Sequence, residues 1–270
     1  MGDYIVTDIA PFDLALTLEC GQAFRWNRAA DGCFEGIAMG RFLRVRQLDG
    51  GDLVLYDTTE EEYCALWRDY FDLGRDYGAV VRRARQDERL RTVTQGCEGI
   101  RILRQQPWEA LCSFIISQNN HIPRIKGIIS RLCEQFGDPI PGGYAFPPPE
   151  RLAGLTVEDL AGLRSGFRAK YILDAARRCS GELDLEGLRA LPIDRAREQL
   201  MTVSGVGPKV ADCALLYGLG FVEAFPMDVW MKRAMCLLFD GRLPDGLTDC
   251  AGIIQQYIFY YARQTKCKAE

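Results

Sequence analysis

A lysine in the first turn of one helix and a carboxylate at the start of another are the residues of this chain best suited to covalent chemistry. Lys209 follows Ser204-Gly205-Val206-Gly207-Pro208, and Asp228 follows in Phe225-Pro226-Met227-Asp228-Val229-Trp230. At a helix start the positive end of the dipole disfavours an ammonium and helps bring the amine toward its neutral, nucleophilic form. A nearby carboxylate favours the ammonium, so the two influences on Lys209 oppose each other. Asp228 reads first as the N-cap of a third helix, and an N-cap can also be a catalytic carboxylate. Gly205 and Gly207 let the backbone approach another molecule, and the unpaired N–H groups of a first helical turn suit a phosphate. The same two glycines also serve a plain tight connection between helices, since a lone Gly-x-Gly is a short pattern.

The elements that position these groups follow from the spacing. A polar helix over Ile193 to Met201 breaks at the glycines, and Pro208 suits the first position of the next, where Val210, Cys213, Ala214 and Tyr217 recur at helical intervals. Upstream, to about Asp57, the chain reads as antiparallel β: Phe24 to Trp26, Cys33 to Ala38, Arg41 to Gln47 and Leu53 to Tyr56, with turns at Asp31-Gly32 and Asp49-Gly50-Gly51. From Thr59 the pattern is helical, Tyr63, Leu66, Trp67 and Tyr70 forming one face. A helix over Pro107 to about Gln118 buries Leu111, Phe114 and Ile115, and Pro139 to Gly143 with Pro147 to Pro149 mark a loop. The expected fold class is therefore α+β, an N-terminal antiparallel β-sheet domain with flanking helices (1–95) followed by an all-helical domain (96–270) with a helix-hairpin-helix at about 193–219.

Composition narrows the function. At 270 residues and 48% hydrophobic the chain can build real cores. No stretch suits a bilayer span, and Met1 to Ala10 lacks the layout of a signal peptide, so an intracellular protein is expected. Eleven scattered cysteines, Cys20 to Cys267, are an odd number without a C-x-x-C, which points to reduced thiols and no zinc or iron–sulfur site. A net charge of −4 speaks against a nucleic-acid partner, but residues 81–133 hold ten basic and four acidic side chains, against five and ten in residues 1–60, so a local positive face is expected.

Val203 to Ala211, with Asp228 downstream, resembles the helix-hairpin-helix-GPD motif of base-excision DNA glycosylases, and the lysine resembles the members that also nick the strand. Gly21-Gln22-Ala23-Phe24-Arg25-Trp26 is similar to a segment of the 8-oxoguanine DNA glycosylase family, as is Asn119-Asn120-His121-Ile122-Pro123-Arg124. The resemblance covers nearly the whole chain, with motifs in the family's order. It implies that Lys209 attacks C1′ of an everted nucleotide and forms an imine, with Asp228 stabilising the cationic sugar.

Further roles are implied residue by residue. Gly21, with Gln22, recognises the base, its backbone carbonyl accepting from the N7–H that oxidation at C8 creates and repelling normal guanine. Gln255 bonds the Watson–Crick edge of the flipped base, Phe259 stacks on one face and Cys213 covers the other. Asn119, beside Asn120, fills the hole left in the duplex, while Arg124 and Arg168 read the orphaned cytosine. Phe167 is the aromatic wedge where tyrosine is common in eukaryotic members, and His121 takes a surface or phosphate-contacting role. Gly205, Val206, Gly207 and Val210 form the hairpin surface toward DNA. Trp230 stands where many eukaryotic members have histidine, which leaves that position's phosphate contact open. Expected partners are double-stranded DNA containing an oxidised guanine and no membrane; expected too are a monomer, no cofactor, and residence in bacterial cytoplasm or nucleoid, or in a nucleus if eukaryotic. Two other readings stay open: a glycosylase of the same superfamily for alkylated or other bases, which needs neither Gly21 nor Gln255, and a non-enzymatic helix-hairpin-helix DNA-binding module, which needs neither Lys209 nor Asp228.

Overall fold

Five short strands at the start of the chain form one antiparallel sheet, in a computed structural model that describes residues 2–265. They are β1 (Tyr4–Val6), β2 (Trp26–Arg28), β3 (Phe34–Ala38), β4 (Arg41–Gln47) and β5 (Leu53–Leu55), in the order β1-β5-β4-β3-β2. The pleat sends alternate residues to opposite faces, so Phe34, Leu43, Val45, Leu53 and Leu55 line one core with Trp26. Against them pack Trp67, Tyr70 and Phe71 from the helical stretch 60–70 (α2), and the Trp26 indole donates to the Tyr70 hydroxyl at 2.7 Å. The sequence reading missed β1, a three-residue strand paired with β5 nearly fifty residues on, and the short helix α1 (Leu14–Glu19), which Asp13 caps.

Helices α3 (Tyr77–Ala84) and α4 (Glu88–Thr94) join the second core, that of the helical domain, so the packing changes earlier than the expected boundary at residue 95. At its centre lies α5 (Pro107–Ser117), nearly every residue of which is buried. A helix apolar on all sides must be surrounded, and α5 is covered by α6 (Ile122–Phe136), α8 (Arg168–Cys179) and α10 (Pro208–Ala214). The small hairpin β6 (Pro139–Ile140) and β7 (Gly143–Tyr144) and helix α7 (Pro149–Ala153) occupy the expected loop. Helices α9 (Ile193–Leu200) and α10 form the helix-hairpin-helix within a residue of the expected bounds, and α10 runs on through a π turn, Leu215–Leu219. The chain then enters α11 (Val229–Phe239) and α12 (Ala251–Thr265).

The ten cysteines among the described residues are all free, and Cys267 lies outside them. No helix among the described residues is long and apolar enough to cross a membrane. The expected positive face is largely spent internally. Arg82, Arg83, Arg85, Arg89 and Arg104 sit in ion pairs, while Arg101, Lys126 and Arg131 donate to main-chain carbonyls. Surface arginines in an acidic protein find carboxylates of their own, while Arg91 and Arg124 of the same segment stay exposed outside any ion pair among the described residues.

Candidate active site

The hairpin is held by α8. Ser204 N–H donates to Asp174 at 2.7 Å, and Arg197 of α9 pairs with Asp212 of α10 at 2.7 Å. Gly205 has φ +79°, and a Cβ there would stand 2.5 Å from the Tyr171 ring. Both facts require glycine. Gly205→Ala is expected to cost about 2–4 kcal/mol, combining left-handed strain with overpacking against the ring. Urea unfolding measures it, and a loss below about 1 kcal/mol would show that the hairpin relaxes freely. Val206 and Val210 are buried, so their side chains belong to the core.

Lys209, half-buried, places its ammonium 5.3 Å from the centroid of the Phe114 ring. Phe114 is stacked on Tyr217 at 5.2 Å and meets Phe24 edge-on at 5.9 Å, so the amine rests on an aromatic layer of α5. Asp228 caps α11, one oxygen accepting from the Met231 N–H at 2.8 Å. The carboxylate and the amine form no ion pair with each other, yet both act on the same thiol. Burial pushes Cys213 up to about 11; Lys209 opposes this by charge and hydrogen bond, and Asp228 adds to it.

On α12, Gln255, Phe259 and Arg263 follow at four-residue intervals and share a face. Gln255 is buried; its amide donates to the Pro226 carbonyl at 3.1 Å, while its side-chain oxygen has no partner. A buried acceptor left unpaired costs about 1–3 kcal/mol, a cost a ligand would relieve. Phe259 is partly exposed, with the Arg263 guanidinium 5.6 Å from its centroid. Gly21 has φ +93°, a region costly for any side chain, and a Cβ there would lie 3.4 Å from Arg263. The early glycine segment and the last helix therefore meet. Sequence reasoning missed Arg263 and, as the seat of the amine, Phe114; the i+4 step beyond Phe259 was the signal for the first.

Gln22 requires correction. It is fully buried, donating to the carbonyls of Thr17 (2.9 Å) and Arg101 (2.7 Å) and accepting from Leu103 N–H at 2.9 Å. With its polar atoms engaged, it fastens the Gly21 segment and has nothing to offer a base.

A second group lies where α5 ends. Asn119 is exposed at φ +48°, a left-handed conformation that asparagine tolerates. Asn120 is a turn former, donating to Ile116 O at 3.1 Å and accepting from His121 N–H. His121 is exposed and is the N-cap of α6, accepting from Arg124 N–H at 3.4 Å. Arg124 is exposed, 3.4 Å from the Arg164 carbonyl. Phe167 stands out at 51% exposure beside Tyr171. Arg168 departs from expectation: it is buried, and its guanidinium serves the carbonyls of Gln118, Asn119 and Ser165. Those donors hold the asparagine turn in place and are not free for a cytosine. Beyond Asp228, Val229 and Trp230 are exposed at 80% and 40%.

The region that carries the helix-hairpin-helix and Asp228 matches the model of the HhH-GPD superfamily of base excision DNA repair proteins, over residues 112–242. The model for the N-terminal domain of 8-oxoguanine DNA glycosylase matches residues 4–111. The chain belongs to the 8-oxoguanine DNA glycosylase family. It is 32% identical to a probable N-glycosylase/DNA lyase of Methanothermobacter thermautotrophicus, the match covering 95% of each. A match at 40% identity to the N-glycosylase/DNA lyase of Saccharomyces cerevisiae spans 50% of this chain and only 41% of the yeast protein. The structure of the Clostridium acetobutylicum 8-oxoguanine glycosylase/lyase, bound to duplex DNA with cytosine opposite 8-oxoguanine, superimposes with a TM-score of 0.92 at 40% identity over 98% of this chain and 96% of that one.

Proposed function

We propose that the protein is a bifunctional DNA glycosylase and abasic-site lyase that excises 8-oxoguanine, preferentially opposite cytosine. The observation that carries this reading is the seating of Lys209 on Phe114 at the start of the second hairpin helix, with Asp228 capping the helix that follows.

The damaged nucleotide leaves the stack, because C1′ and the base edge are unreachable inside a duplex. Guanine presents N1–H and N2–H donors, which the unpaired oxygen of Gln255 accepts. Phe259 stacks on the base, and the Gly21 carbonyl accepts from N7–H of the oxidised form. The Lys209 amine attacks C1′ as the C1′–N9 bond breaks, and the base departs as an anion that is then protonated. Asp228, with one oxygen committed to its helix cap, faces the positive charge that develops on the sugar. Loss of the amine proton and ring opening give an imine between Nζ and C1′. Removal of a C2′ proton then expels the 3′ phosphate by β-elimination, and hydrolysis frees the lysine.

Hairpin amides beside Gly207 meet the phosphate backbone, since first-turn N–H groups have no intrahelical partner. The net charge is −4, so binding should show a shallower salt dependence than that of a strongly cationic protein. Asn119 fills the gap, Phe167 wedges beside it, and Arg124 reads the orphaned cytosine. Arg124→Ala should lower the preference for cytosine over the other three opposing bases about ten-fold. Single-turnover excision on the four duplexes measures it; an unchanged ratio would remove Arg124 from that role. The protein works inside the cell, on chromosomal DNA, as a monomer. Single-turnover excision across duplexes carrying one damaged base each tests the proposal: cleavage of 8-oxoguanine with strand nicking supports it, and preference for an alkylated base contradicts it.

A further inference from the structure

The outer face of the sheet and helix α6 are separated by a groove of about 750 Å3, with Phe24, Arg25 and Asn27 on one wall and Lys126, Gly127 and Ile129 on the other. Side chains do not fill this space, so the strand that follows Gly21 is not fixed to α6 by close packing there. Two cations reach out from the walls instead. Arg25 donates to Glu109 of α5 at 3.4 Å and to the Tyr144 carbonyl. Lys126 donates to the Trp26 carbonyl and, at 3.2 Å, to the Asn27 side chain. Lys126 is half-buried, and desolvation draws its pKa down with Glu19 opposing.

The placement of Lys126 on α6 gives that tie its meaning. Ile122 lies one turn earlier on the same face, and its Cδ1 would be 3.7 Å from a Cβ on Gly21. One face of α6 therefore abuts Gly21 with Ile122 and grips the Trp26 carbonyl and the Asn27 side chain with Lys126. The same helix begins directly after Asn119 and Asn120 and carries Arg124.

We propose that Lys126 is a positioning residue for lesion selectivity, its bonds to Trp26 and Asn27 fixing the distance of Gly21 from the groups that read the opposite strand. This rests on Gly21 reading N7–H, as proposed above. A carbonyl that discriminates an N–H donor from a lone pair works only over a few tenths of an ångström, so loosening its strand degrades selectivity before it degrades chemistry.

The test compares native protein, Lys126→Met and Lys126→Arg in two assays. One is competition binding between duplexes with 8-oxoguanine or guanine opposite cytosine. The other is strand cleavage at a preformed abasic site, which has no base for Gly21 to read. Lys126→Met should lose about ten-fold in selectivity while abasic cleavage stays within about two-fold, and Lys126→Arg should recover most of the selectivity. Unchanged selectivity in Lys126→Met would overturn the proposal. So would a parallel fall in both assays, or an arginine variant as poor as the methionine one. A native protein that does not prefer the 8-oxoguanine duplex would instead refute the reading of Gly21 itself.

Discussion

Replacing Lys209 by glutamine is expected to abolish strand nicking and to slow base release by at least about a thousand-fold, while lesion binding stays nearly intact. Glutamine, one atom shorter, keeps a polar side chain on Phe114 but cannot form the bond to C1′ or the imine. The surroundings explain why binding survives. Lys209 makes no ion pair, its helix starts on Pro208, and Val210, Ala211 and Cys213 supply the packing of α10. Single-turnover kinetics and a binding titration on the same duplex separate the two effects. Nicking at the native rate would take Lys209 out of the reaction.

Asp228→Asn should separate the two duties of that residue. Asparagine caps helices about as well as aspartate, so the bond to the Met231 N–H survives and stability should move by less than about 0.5 kcal/mol. The negative charge facing the sugar is gone, and base excision should fall about 10²–10³-fold, the scale seen when one group opposing a developing charge is removed. A thermal melt and single-turnover excision on one preparation give both numbers. If the variant were as active as native protein, the carboxylate would be a cap and nothing more. If it melted far lower with excision lost in proportion, the cap would account for the phenotype.

Much of this was legible in the sequence because it is written in local signals. Gly205, Gly207 and Pro208 punctuate two periodic stretches, so the hairpin and Lys209 could be placed to within a residue. Asp228 announced itself as a cap by type and position. The longest strand, β4, alternates in its central residues, and both it and β3 are bounded by glycine turns. Strand β1, three residues long, carries no such alternation and exists through its pairing with β5.

Side-chain direction was the harder matter. Gln22 and Arg168 are polar residues inside recognisable motifs, and both spend their hydrogen bonds on the protein's own backbone. No pattern of residue types says whether a donor faces inward or out. Phe114 was expected as core, and it is buried, but its task under the Lys209 amine arises only from the packing of α5 on α10. Arg263 became part of the site in the same way, by the meeting of the first and last parts of the chain at Gly21.

Borohydride trapping of the native protein on a duplex with 8-oxoguanine opposite cytosine, followed by mass spectrometry of the peptide carrying the reduced sugar, tests the central claim most directly. A stable adduct mapped to Lys209 is predicted. An adduct on any other amine, or none formed while the base is released, would contradict it.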